Sequence, residues 1–182
     1  LGAAVPCYRV YEDAKVSAAF PGLVDSATII GGIQIQSRAG LGGNLCNASP
    51  SGDGICSLIV HNTTCVIAGP NGTREVASED FCTGPGQSVI GDGEFLVEMK
   101  MPTPQKGFGA AYQRFTPRNE MDIAVAGVAS SVQLDGDTIM SARVALSAVG
   151  PTPILSSAGD SLAGKEATAE NISVAAQIAS GN

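Results

Sequence analysis

The sequence predicts an α+β fold, and three observations carry that prediction. Strand-like runs and helical stretches are segregated along the chain instead of alternating one by one, as a doubly wound sheet would require. Two hairpin signals, Asn71-Gly72 and Asp135-Gly136, each lie between β-rich runs and call for antiparallel pairing. The 182 residues are 44% hydrophobic and only 15% charged, enough to bury a core and too apolar for a disordered chain. With 4% aromatics and no Trp, that core must be built largely from Ala, Val, Ile and Leu.

Leu1 to Val5 reads as a strand already under way. From Tyr11 to Gln36, Val16, Ala19, Phe20, Leu23, Val24, Ala27 and Ile30 recur at helical spacing, with Pro21 separating a short first turn from a main helix. Ile33-Gln34-Ile35-Gln36 alternates as a brief extended piece. Ile55 to Val60 admits a helix starting at the Ser51 and Asp53 caps, but is too short for periodicity to decide. Thr64–Ala68 and Thr73–Val76 flank the Asn-Gly turn, and Phe81 anchors a loop holding Gly84-Pro85-Gly86. Glu94 to Met101 alternates as a half-buried strand closed by Pro102. Pro102-Thr103-Pro104 places a domain boundary, giving domains 1–102 and 103–182. The second opens with a strand at 109–115 and continues through Asp122–Ala129 and Ser131–Leu134 to the Asp-Gly turn. Ile139–Val149 then pairs back with Met140, Ala142, Val144, Leu146 and Ala148 on one face, completing a three-stranded antiparallel meander. Pro151 and Pro153 end the sheet, and helices are expected around Ile154–Leu162 and Glu170–Ala179.

The stretch from Arg38 to Asp53 is the least ordinary part of the chain. Its four glycines and a proline cannot be held by local propensity. Glycine there allows positive φ or a close approach to the main chain. Amides of Leu41 to Asn44 facing a ligand, with Asn44 and Asp53 adding side-chain hydrogen bonds, is one reading. A plain glycine-rich surface loop is the other. The pattern is neither a Walker A loop, lacking Gly-Lys-Ser/Thr, nor a Rossmann fingerprint.

Other classes of function are set aside by composition. A formal charge of −7 argues against an electrostatic nucleic-acid binder. No apolar run approaches a membrane span. Five cysteines without C-x-x-C spacing read as free thiols in a reducing compartment, hence a cytoplasmic chain, and the sequons at Asn47, Asn62, Asn71 and Asn171 are discounted. The single histidine, His61, rules out a His-rich metal site and reads as a capping or surface residue. Glu94, Glu98 and Asp122 fit solvated strand faces or ends. With no nucleophile–base pair in view, a cofactor that carries the chemistry is the better class.

Gln34 to Asn44, followed by Asn47-Ala48-Ser49-Pro50 and Asp53, resembles the second FAD-binding segment of molybdenum hydroxylase flavoproteins, the medium subunits of carbon monoxide dehydrogenase-like enzymes and the middle part of xanthine dehydrogenases. The resemblance continues through Phe81 with Gly84-Pro85-Gly86, Glu94–Met101, Ala111-Tyr112-Gln113-Arg114-Phe115 with Arg118, Asp122-Ile123-Ala124, and Ala142–Leu146 leading to Gly150–Pro153. It implies the second lobe of a PCMH-type FAD-binding domain followed by a small C-terminal α+β domain. Residues Gly40, Leu41, Gly42, Gly43 and Asn44 would contact FAD through backbone amides. Asp53 would bond the ribityl region, Leu96 would pack on the isoalloxazine ring, and Arg114 would place a cation near the flavin where the family usually has Lys. Gly40 stands where the family commonly has Thr. The resemblance also implies a further glycine-rich segment before Leu1 and a last segment beyond Asn182. The function it implies is electron transfer through FAD, with molybdopterin on a large partner subunit and 2Fe-2S clusters on a small one. The alternative is a non-catalytic docking module that binds no FAD alone.

Overall fold

The computed structural model describes residues 1–119 and 121–181; Asn182, the end of the expected second domain, lies outside the described residues. The chain begins with three short helices, α1 (Cys7–Glu12), α2 (Ala14–Ala19) and α3 (Pro21–Ile29). The expected main helix is thus divided twice. Asp13 caps α2 by accepting from the amides of Lys15 and Val16, and Pro21 occupies the first turn of α3, where its missing N–H costs nothing.

Ile33–Gln36 is not extended but a succession of turns. Buried Gln36 explains why. Its amide donates to the carbonyls of Thr28 and Ile30 at 2.7 and 3.3 Å, satisfying the C-terminal end of α3, and its oxygen accepts from Tyr11 at 3.1 Å.

The glycine stretch contains a helix, α4 (Leu41–Cys46). Leu41 and Leu45 are buried, and Gly42 lies so close to the first residues that a Cβ there would stand 2.3 Å from the Ala3 carbonyl oxygen. Packing, not propensity, makes this turn helical. Helix α5 (Asp53–Val60) follows and is buried along its whole length, lying between α3 and α4 on one side and the C-terminal sheet on the other.

The hairpin β1 (Thr64–Gly69) and β2 (Gly72–Ala77) forms as the Asn-Gly signal predicts, with Pro70 and Asn71 in the turn and Gly72 at φ 106° starting the return. After the short pair β3 (Cys82–Gly84) and β4 (Gln87–Ser88), strand β5 (Phe95–Lys100) completes a sheet of order β2-β1-β5. Its clean alternation is interrupted, because a bulge at Val97 puts both Leu96 and Met99 in the core. The opening residues join β5 by one bridge, Gly2 to Glu98, and by bonds between Leu1 and Met99, rather than forming a strand of their own.

The second sheet has four strands, not three: β6 (Phe108–Phe115), β7 (Ala126–Asp135), β8 (Thr138–Ser147) and β9 (Ile154–Ser156) in consecutive antiparallel order. Residues 154–156 therefore pair with β8, where a helix was expected, and only a 3-10 turn at Asp160–Leu162 is helical there. The register slips at Gln133/Leu134, which buries Ile139 and leaves Met140 outside. The last helix, α6 (Ala169–Ser180), matches expectation and is capped by Thr168.

One core joins α1, α3, α4, α5 and the first sheet to Tyr112, Ala129 and Ala145 of the second sheet. A smaller cluster around Ile139, Leu162 and Ala175 lies under α6.

Candidate cofactor site

The eight residues singled out from sequence fall into two groups. The first lines a cleft of about 520 Å³ walled by Ala3, Arg38, Gly40, Gly42, Gly43 and Leu96, with Cys46, Ile90, Glu94 and Phe95 completing it. Gly43 is the glycine with room around it, since no atom lies within 4 Å of where its Cβ would be. Gly40 and Gly42 are spent on the protein itself, against the carbonyls of Val5 at 2.6 Å and Ala3 at 2.3 Å. The amides of Gly42 and Gly43 lie in the first turn of α4 and have no backbone acceptor among the described residues, while the antiparallel bridge of Pro6 with Gly40 turns the Leu41 amide to the Val5 carbonyl. Arg38 is exposed and forms no ion pair among the described residues.

Leu96 reaches the cleft from the core, while its neighbour Phe95 stands 61% exposed at the same wall. Glu94, expected as a solvated strand end, is clamped: both its oxygens accept from Arg74, at 2.9 and 2.7 Å, and the Gly91 amide adds a bond of 2.8 Å. The Arg74 bonds and then that amide hold its carboxyl down at about 2.

The second group is a buried ion pair. Asp53 opens α5, where a negative charge suits the helix N-terminus. Its Oδ2 accepts from Arg114 Nη1 at 2.8 Å, and its Oδ1 from the Tyr112 hydroxyl at 2.9 Å. Both side chains of the ion pair are about nine-tenths buried, at 11% and 10% exposure. Burial raises the Asp53 carboxyl above its ordinary value, opposed by the Arg114 charge and by the bonds from Tyr112 and Arg114. Arg114 continues to a second cavity of about 870 Å³, beside Asp25, Gln36 and Tyr112.

Asn44 ties the groups together. Its side-chain oxygen accepts from the Gly54 amide at 2.9 Å, so α4 caps the first turn of α5, a bond Gly52 at the N-cap position cannot supply. Leu41 is wholly buried and packs on Gly54. Sequence reasoning missed Tyr112, Phe95, Arg38 and Arg74. For Tyr112 a signal existed, since it stands two residues before Arg114 in one strand and so shares its face. No comparable signal links Arg74 to Glu94.

His61 is neither exposed nor a mere cap. It lies 3% exposed between Phe20 and Phe108, its Nδ1 2.6 Å from the Ser57 carbonyl oxygen, so Nδ1 carries the proton and Nε2 has no partner among the described residues. Burial lowers its pKa, with the Ser57 bond opposing. All five cysteines are free, and burial pushes Cys7 to about 11 and Cys56 to about 12, which favours the protonated thiol at neutral pH. No group of three or more metal-binding side chains occurs among the described residues.

Residues 1–104 match the FAD binding domain in molybdopterin dehydrogenase, and residues 110–182 match the CO dehydrogenase flavoprotein C-terminal domain. The chain belongs to this flavoprotein family. It is 33% identical over 155 residues to a putative xanthine dehydrogenase FAD-binding subunit of Escherichia coli K12, covering 85% of this chain and 53% of that one. It is 33% identical over 165 residues to the carbon monoxide dehydrogenase medium chain of Hydrogenophaga pseudoflava, covering 90% and 57%. The solved carbon monoxide dehydrogenase of the same organism superposes with a TM-score of 0.90 at 30% identity, over 96% of this chain and 61% of that one. That of Oligotropha carboxidovorans gives 0.91 at 26% identity, over 97% and 62%. This flavoprotein chain thus spans little more than half the length of those relatives. No helix among the described residues is long and apolar enough to cross a membrane.

Proposed function

We propose that this chain is an FAD-binding, electron-transferring part of a molybdenum-containing hydroxylase. The observation that carries the reading is the cleft, whose open wall at Gly43 belongs to the segment matched by the FAD-binding family. The residues fit such a cofactor. The Gly42 and Gly43 amides offer donors to polar groups, the Arg38 guanidinium, with no ion pair among the described residues, adds a positive charge suited to a diphosphate, and Leu96 with Phe95 offers an apolar wall for a flat ring. Asp53 and Arg114 do not line this cleft, Arg114 facing the second cavity instead; the resemblance implies that they stand at the ribityl chain and the flavin. Bound FAD would supply reversible electron storage between iron–sulfur clusters and a final acceptor. The protein's own part is to bind, orient and set the charge around the cofactor.

The partners in this reading are a molybdopterin-binding large subunit and a 2Fe-2S small subunit. Exposed Ile33, Phe115, Met121 and Ile123, each at least 58% accessible, offer apolar surface of the kind such docking uses. The domain division at residues 102/103 and a cytoplasmic location belong to the same reading, the latter supported by the five free thiols.

That apolar surface, with an ion pair already satisfied within the chain, equally favours a docking module that holds no flavin by itself. An FAD titration followed by flavin fluorescence and absorbance separates the two, run on this chain and on one extended at its N-terminus. Saturable binding by either supports the cofactor reading, and binding only after extension assigns the opposite wall of the cleft to the added segment. No flavin in either overturns it.

A further inference from the structure

The Asp53–Arg114 pair depends on a third side chain. Tyr112 and Arg114 leave β6 on one face, two residues apart, and divide the carboxylate between them, the phenol on Oδ1 and the guanidinium on Oδ2. Tyr112 is itself fixed. It is 5% exposed, and its backbone N–H donates to Asp25 Oδ2 of α3 at 3.1 Å. Space for the phenol is made by Gly127 on β7, where a Cβ would stand 2.6 Å from the Tyr112 oxygen. Ser147 Oγ lies at the same spot, buried beside the phenol and the Cys56 thiol.

We propose that Tyr112 is a positioning residue of the cofactor site: it holds one Asp53 oxygen so that the other stays on Arg114, and so fixes where the guanidinium charge meets the flavin. The proposal rests on the FAD reading above and adds to it a residue that contacts no cofactor. An ionised carboxylate has acceptors only, and a carboxylate held at one oxygen is free to turn. With Arg114 on the second oxygen and the phenol on the first, both the orientation and the ionisation of Asp53 are set. The groups facing Asp53 are Arg114 and Tyr112 of β6 and the Cys56 thiol one turn along α5. Of these, the guanidinium and the phenol favour the charged carboxylate against its burial. Removing the phenol therefore moves the titration of Asp53 upward and loosens its hold on Arg114.

The test is the Tyr112→Phe variant of this chain, read by carbon-13 NMR of the Asp53 carboxyl through a pH titration and by FAD titration. The expected result is an upward movement of the Asp53 midpoint together with FAD affinity weaker by about tenfold, the scale of one hydrogen bond to a charged group. Ser147→Ala, which leaves the phenol on Asp53 and removes only the hydroxyl beside it, is expected to move the midpoint less than Tyr112→Phe does. An unmoved midpoint in Tyr112→Phe, an equal movement in Ser147→Ala, or unchanged FAD affinity overturns the proposal. If Tyr112→Phe does not fold, wild-type chain carrying 3-fluorotyrosine at its three tyrosines replaces it. The more acidic phenol must then move the Asp53 midpoint downward, and no movement is the contrary result. A wild-type chain that takes up no flavin overturns the FAD reading instead, and the carboxyl titration still decides whether Tyr112 governs Asp53.

Discussion

The two halves of the site are made in opposite ways. The cleft wall at α4 is built of backbone, with glycines at 40, 42 and 43, of which Gly43 is exposed. The Asp53–Tyr112–Arg114 cluster is built of side chains, buried, and already satisfied within the chain. An open backbone surface stands ready for a ligand's polar groups, whereas a closed charge cluster can only present or tune the charge it already holds. The contrast also shows that glycines in one short motif serve different ends, two for packing against Ala3 and Val5 and one for open space.

The largest expected effect breaks the closed half. Asp53→Ala strands the Arg114 guanidinium and the Tyr112 hydroxyl in the interior, and should cost about 3 kcal/mol in urea unfolding. Two glycine substitutions then sharpen the division of the open half. Gly42→Ala forces a Cβ into the Ala3 carbonyl and should destabilise by about 2 kcal/mol. Gly43→Ala meets nothing, so the same measurement should show a gain of about 0.5 kcal/mol, while FAD affinity falls because the new methyl stands in the cleft. Asn44→Ala tests the tie between the halves, and loss of the bond to the Gly54 amide should cost about 1 kcal/mol.

The smallest expected effect lies away from both halves, at His61. Its folded pKa is lowered by burial, so the folded state takes up a proton less readily than the unfolded chain. Its contribution is fully present above the unfolded value near 6.5 and is lost as pH falls from there through the lower folded pKa. Urea midpoints measured below pH 6.5 should decline less steeply in His61→Phe than in wild type.

Legibility in the sequence followed locality. The two hairpins are legible from the dipeptides Asn71-Gly72 and Asp135-Gly136 because their chemistry is local, although the structure centres the turns one residue away, on Pro70-Asn71 and Gly136-Asp137. Helix α4 was not, since its glycines oppose helix propensity and only contact with Ala3 and burial of Leu41 and Leu45 fix it. Strand β9 hid behind Pro151 and Pro153, which end regular structure without preventing Ile154 from pairing with Leu146. The turns at Ile33–Gln36 depend on Gln36 reaching back to α3, a contact that alternation does not encode. In the site, Gly40 to Asn44 were visible as a motif, but the division of labour among the glycines was not. The pairing of Asp53 with Arg114, sixty-one positions apart, and the part Tyr112 plays in it needed the fold.

Amide hydrogen exchange of this chain with and without FAD tests the central claim most directly, that the open backbone of α4 is the cofactor's wall. The account predicts slowed exchange at Gly42 and Gly43 with α6 unchanged. Saturable FAD binding that leaves both amides unprotected, or protects α6 instead, would contradict it.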